Sequence, residues 1–145
     1  MGMLVLVAED EALIALSLAD LLKAEGHEAV LAADGVDALA AAERLGDALG
    51  VLVTDLNMPR MGGEDLIRAV RADRPGLPIV VVTGSAPPGG ADELRRLAGG
   101  TGPLLLLHKP ADCGELAAAL RRAAAAAGFA RRDGGAAAFP GVEAA

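Results

Sequence analysis

The chain has 145 residues, 53% of them hydrophobic, and a formal net charge of −7, which suits about one domain with an ample core by a prior of roughly 150 residues per domain. The acidic balance, with Lys23 and Lys109 as the only lysines, speaks against a nucleic-acid surface, and the lone cysteine, Cys113, excludes an internal disulfide. No apolar run approaches the roughly 18 residues of a membrane span, and the run from Met3 to Ala8 is too short for a signal peptide, so the cytoplasm is the expected compartment.

Five apolar, strand-like runs alternate with helical segments. The first strand is predicted over Met3 to Ala8 and stops at the acidic triplet Glu9, Asp10 and Glu11. A helix from about Glu11 to Glu25 follows, with Leu13, Leu16, Leu21 and Leu22 as its apolar stripe and Gly26 as a left-handed stop. The second strand spans His27 to Ala33, and the second helix runs from about Val36 to Leu45. Val51 to Thr54 form the third strand. It ends in Asp55, and Pro59 and Gly62-Gly63 then break regular structure before a helix that starts near Glu64, buries Leu66, Ile67 and Val70, and is closed by Pro75. Ile79 to Thr83 and Leu104 to Leu107 are the last two strands, separated by a short helix at about Ala91 to Ala98. The last helix, from about Asp112 to Ala127, is alanine-rich and turns Leu116 and Leu120 inward. Residues 1–127 thus form one βα-repeat domain, whereas 128–145 mix Gly, Ala and Pro without period and read as a disordered tail or linker.

Such alternation implies a doubly wound α/β fold, a parallel sheet with helices on both faces, in which ligands bind at the carboxyl ends of the strands. Glu9, Asp10, Asp55, Thr83 and Lys109 all fall at those ends. Clustered carboxylates need a compensating cation, and a few hard oxygen ligands suit Mg²⁺. A carboxylate beside Mg²⁺ can attack a phosphoryl group to form an aspartyl phosphate, with Thr83 donating a hydrogen bond and Lys109 pairing with the added charge. Taken singly, each residue has a plainer explanation: Asp10 as a helix cap, Asp55 as a turn residue, Thr83 as a strand end, Lys109 as a solvated cation. Their joint placement favours the chemical one. His108 reads as a partly exposed strand-end residue, and Cys113 as a small helix-face residue.

The order of Glu9-Asp10, "DLNMPRMGG", "VVVTG" and "KP" resembles the receiver domains of two-component response regulators, over roughly Met3 to Ala127. The resemblance implies a flavodoxin-like, CheY-like sheet of order 2-1-3-4-5. It implies that Asp55 takes phosphate from a histidine kinase or phosphotransfer protein, that Glu9, Asp10, Asp55 and the Asn57 backbone carbonyl hold Mg²⁺, that Thr83 and Lys109 contact the phosphoryl group, and that Lys109-Pro110 is cis. Such a protein is a bacterial, single-domain switch or phosphate relay whose output is protein–protein interaction, with no nucleic acid, membrane or substrate turnover beyond its own aspartyl phosphate. One departure stands out: the position three residues before the lysine, commonly aromatic in similar domains, is Leu106, and both phenylalanines lie beyond residue 127. A flavin carrier is disfavoured by the acidic loop after the first strand, a nucleotide hydrolase by the lack of a GxxxxGK[ST] loop, and an aspartate phosphatase by Asn57 and Pro59 after Asp55. A receiver that never takes up phosphate and serves as a constitutive interaction module is the remaining rival.

Overall fold

In the computed structural model, which describes residues 2–134, five parallel strands alternate with five α-helices: β1 (Leu4–Ala8), α1 (Ala12–Ala24), β2 (Glu28–Ala32), α2 (Gly35–Leu45), β3 (Leu49–Thr54), α3 (Gly63–Asp73), β4 (Ile79–Thr83), α4 (Gly90–Ala98), β5 (Leu104–His108) and α5 (Cys113–Gly134). The strand order is β2-β1-β3-β4-β5, as expected.

Every residue of β3 and β4 is buried, because both faces of the sheet are covered by helices. The two-residue period of a strand divides these residues between two cores. Val5, Val7, Val51, Val53, Val80 and Val82 pack against Leu116 and Leu120 of α5 and Leu22 of α1. Leu6, Leu52, Ile79 and Val81 face the other way, onto Leu66, Ile67 and Val70 of α3 and Leu94 of α4.

The larger departures from expectation concern two faces of α1 and the ends of β3, β5 and α5, the other elements agreeing to within a residue or so. Leu13 and Leu16 of α1 do not join the core: they are 80% and 54% exposed. Burial on this helix centres on Ala15 and Leu22, which lie seven residues apart on one face; at 3.6 residues per turn Leu13 falls on the opposite side and Leu16 on a flank. β3 begins at Leu49 rather than Val51, since Gly50 lies where an added Cβ would stand 3.2 Å from the Met3 side chain, and the bare backbone lets the strands approach. β5 takes in His108, which pairs with Thr83. α5 continues past Ala127 to Gly134, in keeping with its alanine content; the rest of the expected tail lies outside the described residues. Gly26 does stop α1, at φ +88°.

One buried cation holds the far end of the sheet. Arg71 of α3 is only 3% exposed and donates to the carbonyls of Leu77 (2.8 Å), Gly99 (2.7 Å), Gly102 (2.9 Å) and Pro103 (2.9 Å). It thereby ties α3 to the start of β4, the end of α4 and the start of β5. Burial lowers its pKa, and four carbonyl dipoles take the place of a carboxylate partner. Arg71→Met, which keeps the apolar stem and strands the four acceptors, is expected to cost roughly 3 kcal/mol or more. Urea unfolding followed by circular dichroism measures this; a loss below about 1 kcal/mol, the net worth of one ordinary hydrogen bond, would show that the carbonyls find other partners.

Candidate phosphoacceptor site

Because all five strands are parallel, their carboxyl ends share one edge, and the residues just beyond them converge there. The sheet's own ladder continues into them: Asp55 N–H donates to the Ala8 carbonyl at 3.1 Å, Glu9 N–H to Ala32 at 3.0 Å, and Lys109 N–H to Thr83 at 2.9 Å. These bonds fix the backbone from which each side chain departs. Gly63, the first residue of α3, closes the site from below, since a Cβ there would collide with the Asp55 carbonyl oxygen.

The Lys109 ammonium donates to Asp55 Oδ2 at 2.7 Å and to Glu9 Oε1 at 2.9 Å. Asp55 Oδ1 accepts from the amides of Leu56 (2.6 Å) and Asn57 (3.3 Å), while Glu9 Oε2 accepts from Glu11 N–H at 3.0 Å. Thr54 donates its hydroxyl to the Asp55 carbonyl at 2.7 Å. Thr83 is wholly buried, and its Oγ1 accepts from Ser85 N–H at 3.2 Å. Lys109-Pro110 is cis. Asp10 is exposed and does not cap α1: the N-cap is Glu11, which makes no side-chain cap bond. His108 is exposed at the end of β5, and Cys113 is exposed at the start of α5.

Burial raises the pKa of Glu9, and the bonds from Glu11 N–H and Lys109 do not fully offset it. Burial pushes Asp55 the same way, yet the Lys109 ammonium and the amides of Asn57 and Leu56 outweigh it and hold the carboxyl below its usual range. The two carboxylates share one ammonium, and the extra backbone N–H on Asp55 goes with the opposite direction of its shift. Lys109 is itself desolvated, but its two carboxylate partners raise its pKa and keep it charged.

Carboxylate oxygens of Glu9, Asp10 and Asp55 lie within 4.8 Å of one another. Three hard oxygen donors from two strand ends, two of them drawn onto a single ammonium, form a donor set that fits a small divalent cation keeping several waters.

The loop between β3 and α3 carries a feature that sequence reading did not single out. Arg60 adopts φ +67°, and Met61 N–H donates to the Pro59 carbonyl at 2.7 Å, so the chain makes a γ-turn of the rare positive-φ kind. For a residue with a side chain such a turn costs roughly 1–3 kcal/mol and persists only where its surroundings enforce it. Here Arg60 Nε donates to Asp34 Oδ2 at 2.8 Å and Nη2 to Asp37 Oδ1 at 2.9 Å, on the first turn of α2. The Arg60 guanidinium and the Asp37 amide hold the Asp34 carboxyl below its usual range. The only signal in the sequence was an arginine where a glycine would fit the turn at no cost.

Residues 5–121 match the response regulator receiver domain family. The chain belongs to that family. As a receiver domain it is 43% identical over 79 residues to the sensory transduction protein RegX3 of Mycolicibacterium smegmatis, a stretch covering 54% of this chain and 33% of that protein. It is 34% identical over 105 residues to a response regulator receiver protein of Anaeromyxobacter sp., covering 72% of this chain and 42% of the other. Among solved structures, the chemotaxis protein CheY4 of Vibrio cholerae superposes with a TM-score of 0.73 at 30% identity, covering 85% of this chain and 99% of that one. A response regulator receiver protein from Pseudomonas putida gives 0.72 at 33% identity, covering 84% and 98%. The chain spans only about a third of the length of the first of these relatives.

Proposed function

We propose that this receiver domain is the phosphoacceptor of a two-component signalling system, with Asp55 as the residue that takes the phosphoryl group. The observation that carries the reading is the Lys109 ammonium 2.7 Å from Asp55 Oδ2, within a trio of carboxylates whose oxygens lie within 4.8 Å of one another. A carboxylate oxygen of Asp55 attacks phosphorus through an unshared lone pair, the bond from phosphorus to the donor's imidazole nitrogen breaks, and the product is an acyl phosphate on Asp55. Lys109 then pairs with the phosphoryl oxygens, and Thr83, freed from Ser85, donates its hydroxyl to them. Mg²⁺ held by Glu9, Asp10, Asp55 and the Asn57 carbonyl would supply compensation for the charge on the transferring group.

The donor on this reading is a histidine kinase or a histidine phosphotransfer protein. A groove of 480 Å³ between α1 and the start of α5, lined by Leu13, Leu18, Leu21, Pro110 and Leu116, reaches Lys109 and offers an apolar seat beside the site. The exposed Leu13 rim is the feature expected of a surface that a protein covers. A bacterial cytoplasm is the implied compartment; among the described residues no helix is long and apolar enough to cross a membrane. The net charge of −7 favours protein over nucleic acid as the partner of this domain. A constitutive interaction module is disfavoured, because a lysine aimed at a buried carboxylate costs desolvation that a mere scaffold has no use for.

Incubation with acetyl phosphate and Mg²⁺ is expected to add one phosphoryl group per chain, seen by intact mass, and EDTA to prevent it. Unmodified protein with acetyl phosphate and with a panel of phosphorylated histidine kinases would overturn the proposal.

A further inference from the structure

The clasp formed by Arg60, Asp34 and Asp37 lies outside the acidic site and yet shares its loop. We infer that Arg60 is a positioning residue: by gripping α2 it holds the β3–α3 loop, and with it the Asn57 carbonyl, in the conformation that completes the divalent-cation site. The inference rests on the reading that Glu9, Asp10, Asp55 and that carbonyl bind Mg²⁺.

The loop is tied at three places. Gly63 N–H donates to the Leu56 carbonyl at 2.9 Å and closes its base. Gly35 N–H donates to the Met61 carbonyl at 3.2 Å, a close approach that leaves no room for a Cβ on Gly35. The third tie is the Arg60 guanidinium, which reaches two carboxylates at once. Asp34 is well placed to anchor it, being only 7% exposed and using both oxygens: Oδ1 accepts from Asp37 N–H at 2.8 Å, capping α2, while Oδ2 takes Arg60. A planar guanidinium suits this forked contact, and a lysine ammonium cannot reproduce it.

The strained γ-turn at Arg60 lies three residues after Asn57 and would relax if released. Relaxation turns the peptide planes between Pro59 and Met61, and the short chain back to Asn57 passes that rotation to its carbonyl. Asn57 has few anchors of its own; its side chain is exposed, and its amide bond to Asp55 is long at 3.3 Å. Backbone ligands tolerate little displacement around Mg²⁺, which demands near-octahedral geometry.

Electrostatics alone makes the opposite forecast. Arg60 is a cation on the loop that follows Asp55, paired with Asp34 and Asp37, so deleting it removes positive charge and should if anything strengthen the attraction for a second cation. Weaker Mg²⁺ binding without Arg60 is therefore a signature of positioning.

The test is Mg²⁺ titration by calorimetry on the whole chain, with amide NMR shifts of Asn57 and Met58 recorded alongside. Arg60→Gly removes the grip and, with glycine's wide conformational freedom, leaves nothing that confines the turn to its positive φ. It is expected to weaken Mg²⁺ binding by about tenfold, the scale of loss when an outer partner of a metal ligand is removed. Arg60→Lys, which keeps the charge and loses the fork, is expected to fall between it and wild type, and remains informative should the glycine variant fail to fold. Adding Asp34→Asn to Arg60→Gly should produce no further loss, because the two act through one contact. Wild type that binds Mg²⁺ while both Arg60 variants bind it equally or more tightly overturns this inference alone. Wild type that binds no Mg²⁺ overturns the metal reading and this inference with it.

Discussion

If Asp55 is the phosphoacceptor as proposed, Asp55→Asn is expected to lower phosphoryl uptake from acetyl phosphate by on the order of a thousandfold or more, because it removes the nucleophile while leaving the shape of the site. An asparagine oxygen still accepts the amides of Leu56 and Asn57, now 2.6 and 3.3 Å from Oδ1, so the loop keeps its geometry. The Lys109 ammonium keeps Glu9 as a partner at 2.9 Å. The variant is therefore expected to fold, so that a loss reports chemistry. The other two carboxylates are poorer acceptors: Glu9 is 4% exposed and occupied by Lys109 and the Glu11 amide, and Asp10 is exposed, while the Lys109 ammonium donates to Glu9 and Asp55. Intact mass after timed incubation reads the result. Uptake at the wild-type rate would move the acceptor to another residue and sink the assignment.

Why these residues were legible in the sequence, and others were not, follows from what places them. Glu9, Asp55, Thr83 and Lys109 each stand at or one residue past the end of a strand, and a parallel sheet converts that local cue into a shared location. Arg60 and Asp34 had no such cue. Their contact joins residues 26 apart through a γ-turn at a positive φ that an arginine rarely adopts, so neither period nor propensity could foretell it. Arg71 was hidden for a similar reason, since an arginine on an amphipathic helix ordinarily faces water, and only the carbonyls gathered around it explain its burial. Leu13 and Leu16 differ in the other direction: an apolar stripe predicts an inward face, and these two line or flank a surface instead.

Leu106 poses the remaining question, since similar domains commonly carry an aromatic ring there to move with the threonine. It is half-buried, pairs in register with Val81 and packs against the core that includes Leu94 of α4. A leucine has no hydroxyl to exchange partners and stays in apolar contact whichever way it turns, so its rotamers should differ by only about 1 kcal/mol. Moving a population from 1:99 to 99:1 takes roughly 5.5 kcal/mol, which such a bias cannot supply. Thr83 is better placed to supply it. Its hydroxyl oxygen now accepts from Ser85 N–H at 3.2 Å, and turning the hydroxyl toward a phosphoryl oxygen would release the loop from Gly84 to Gly89 that leads into α4. That loop carries Pro87 and Pro88, and α4 opens on Gly90 at φ +61°, a conformation that glycine adopts without strain. Thr83→Ala is therefore expected to abolish the amide NMR shifts that beryllofluoride, a phosphoryl mimic, induces between Gly84 and Leu94, whereas Leu106→Ala leaves most of them in place. If Leu106→Ala erases those shifts while folding and Mg²⁺ binding are unchanged, the leucine carries the signal and the threonine-to-loop route is wrong.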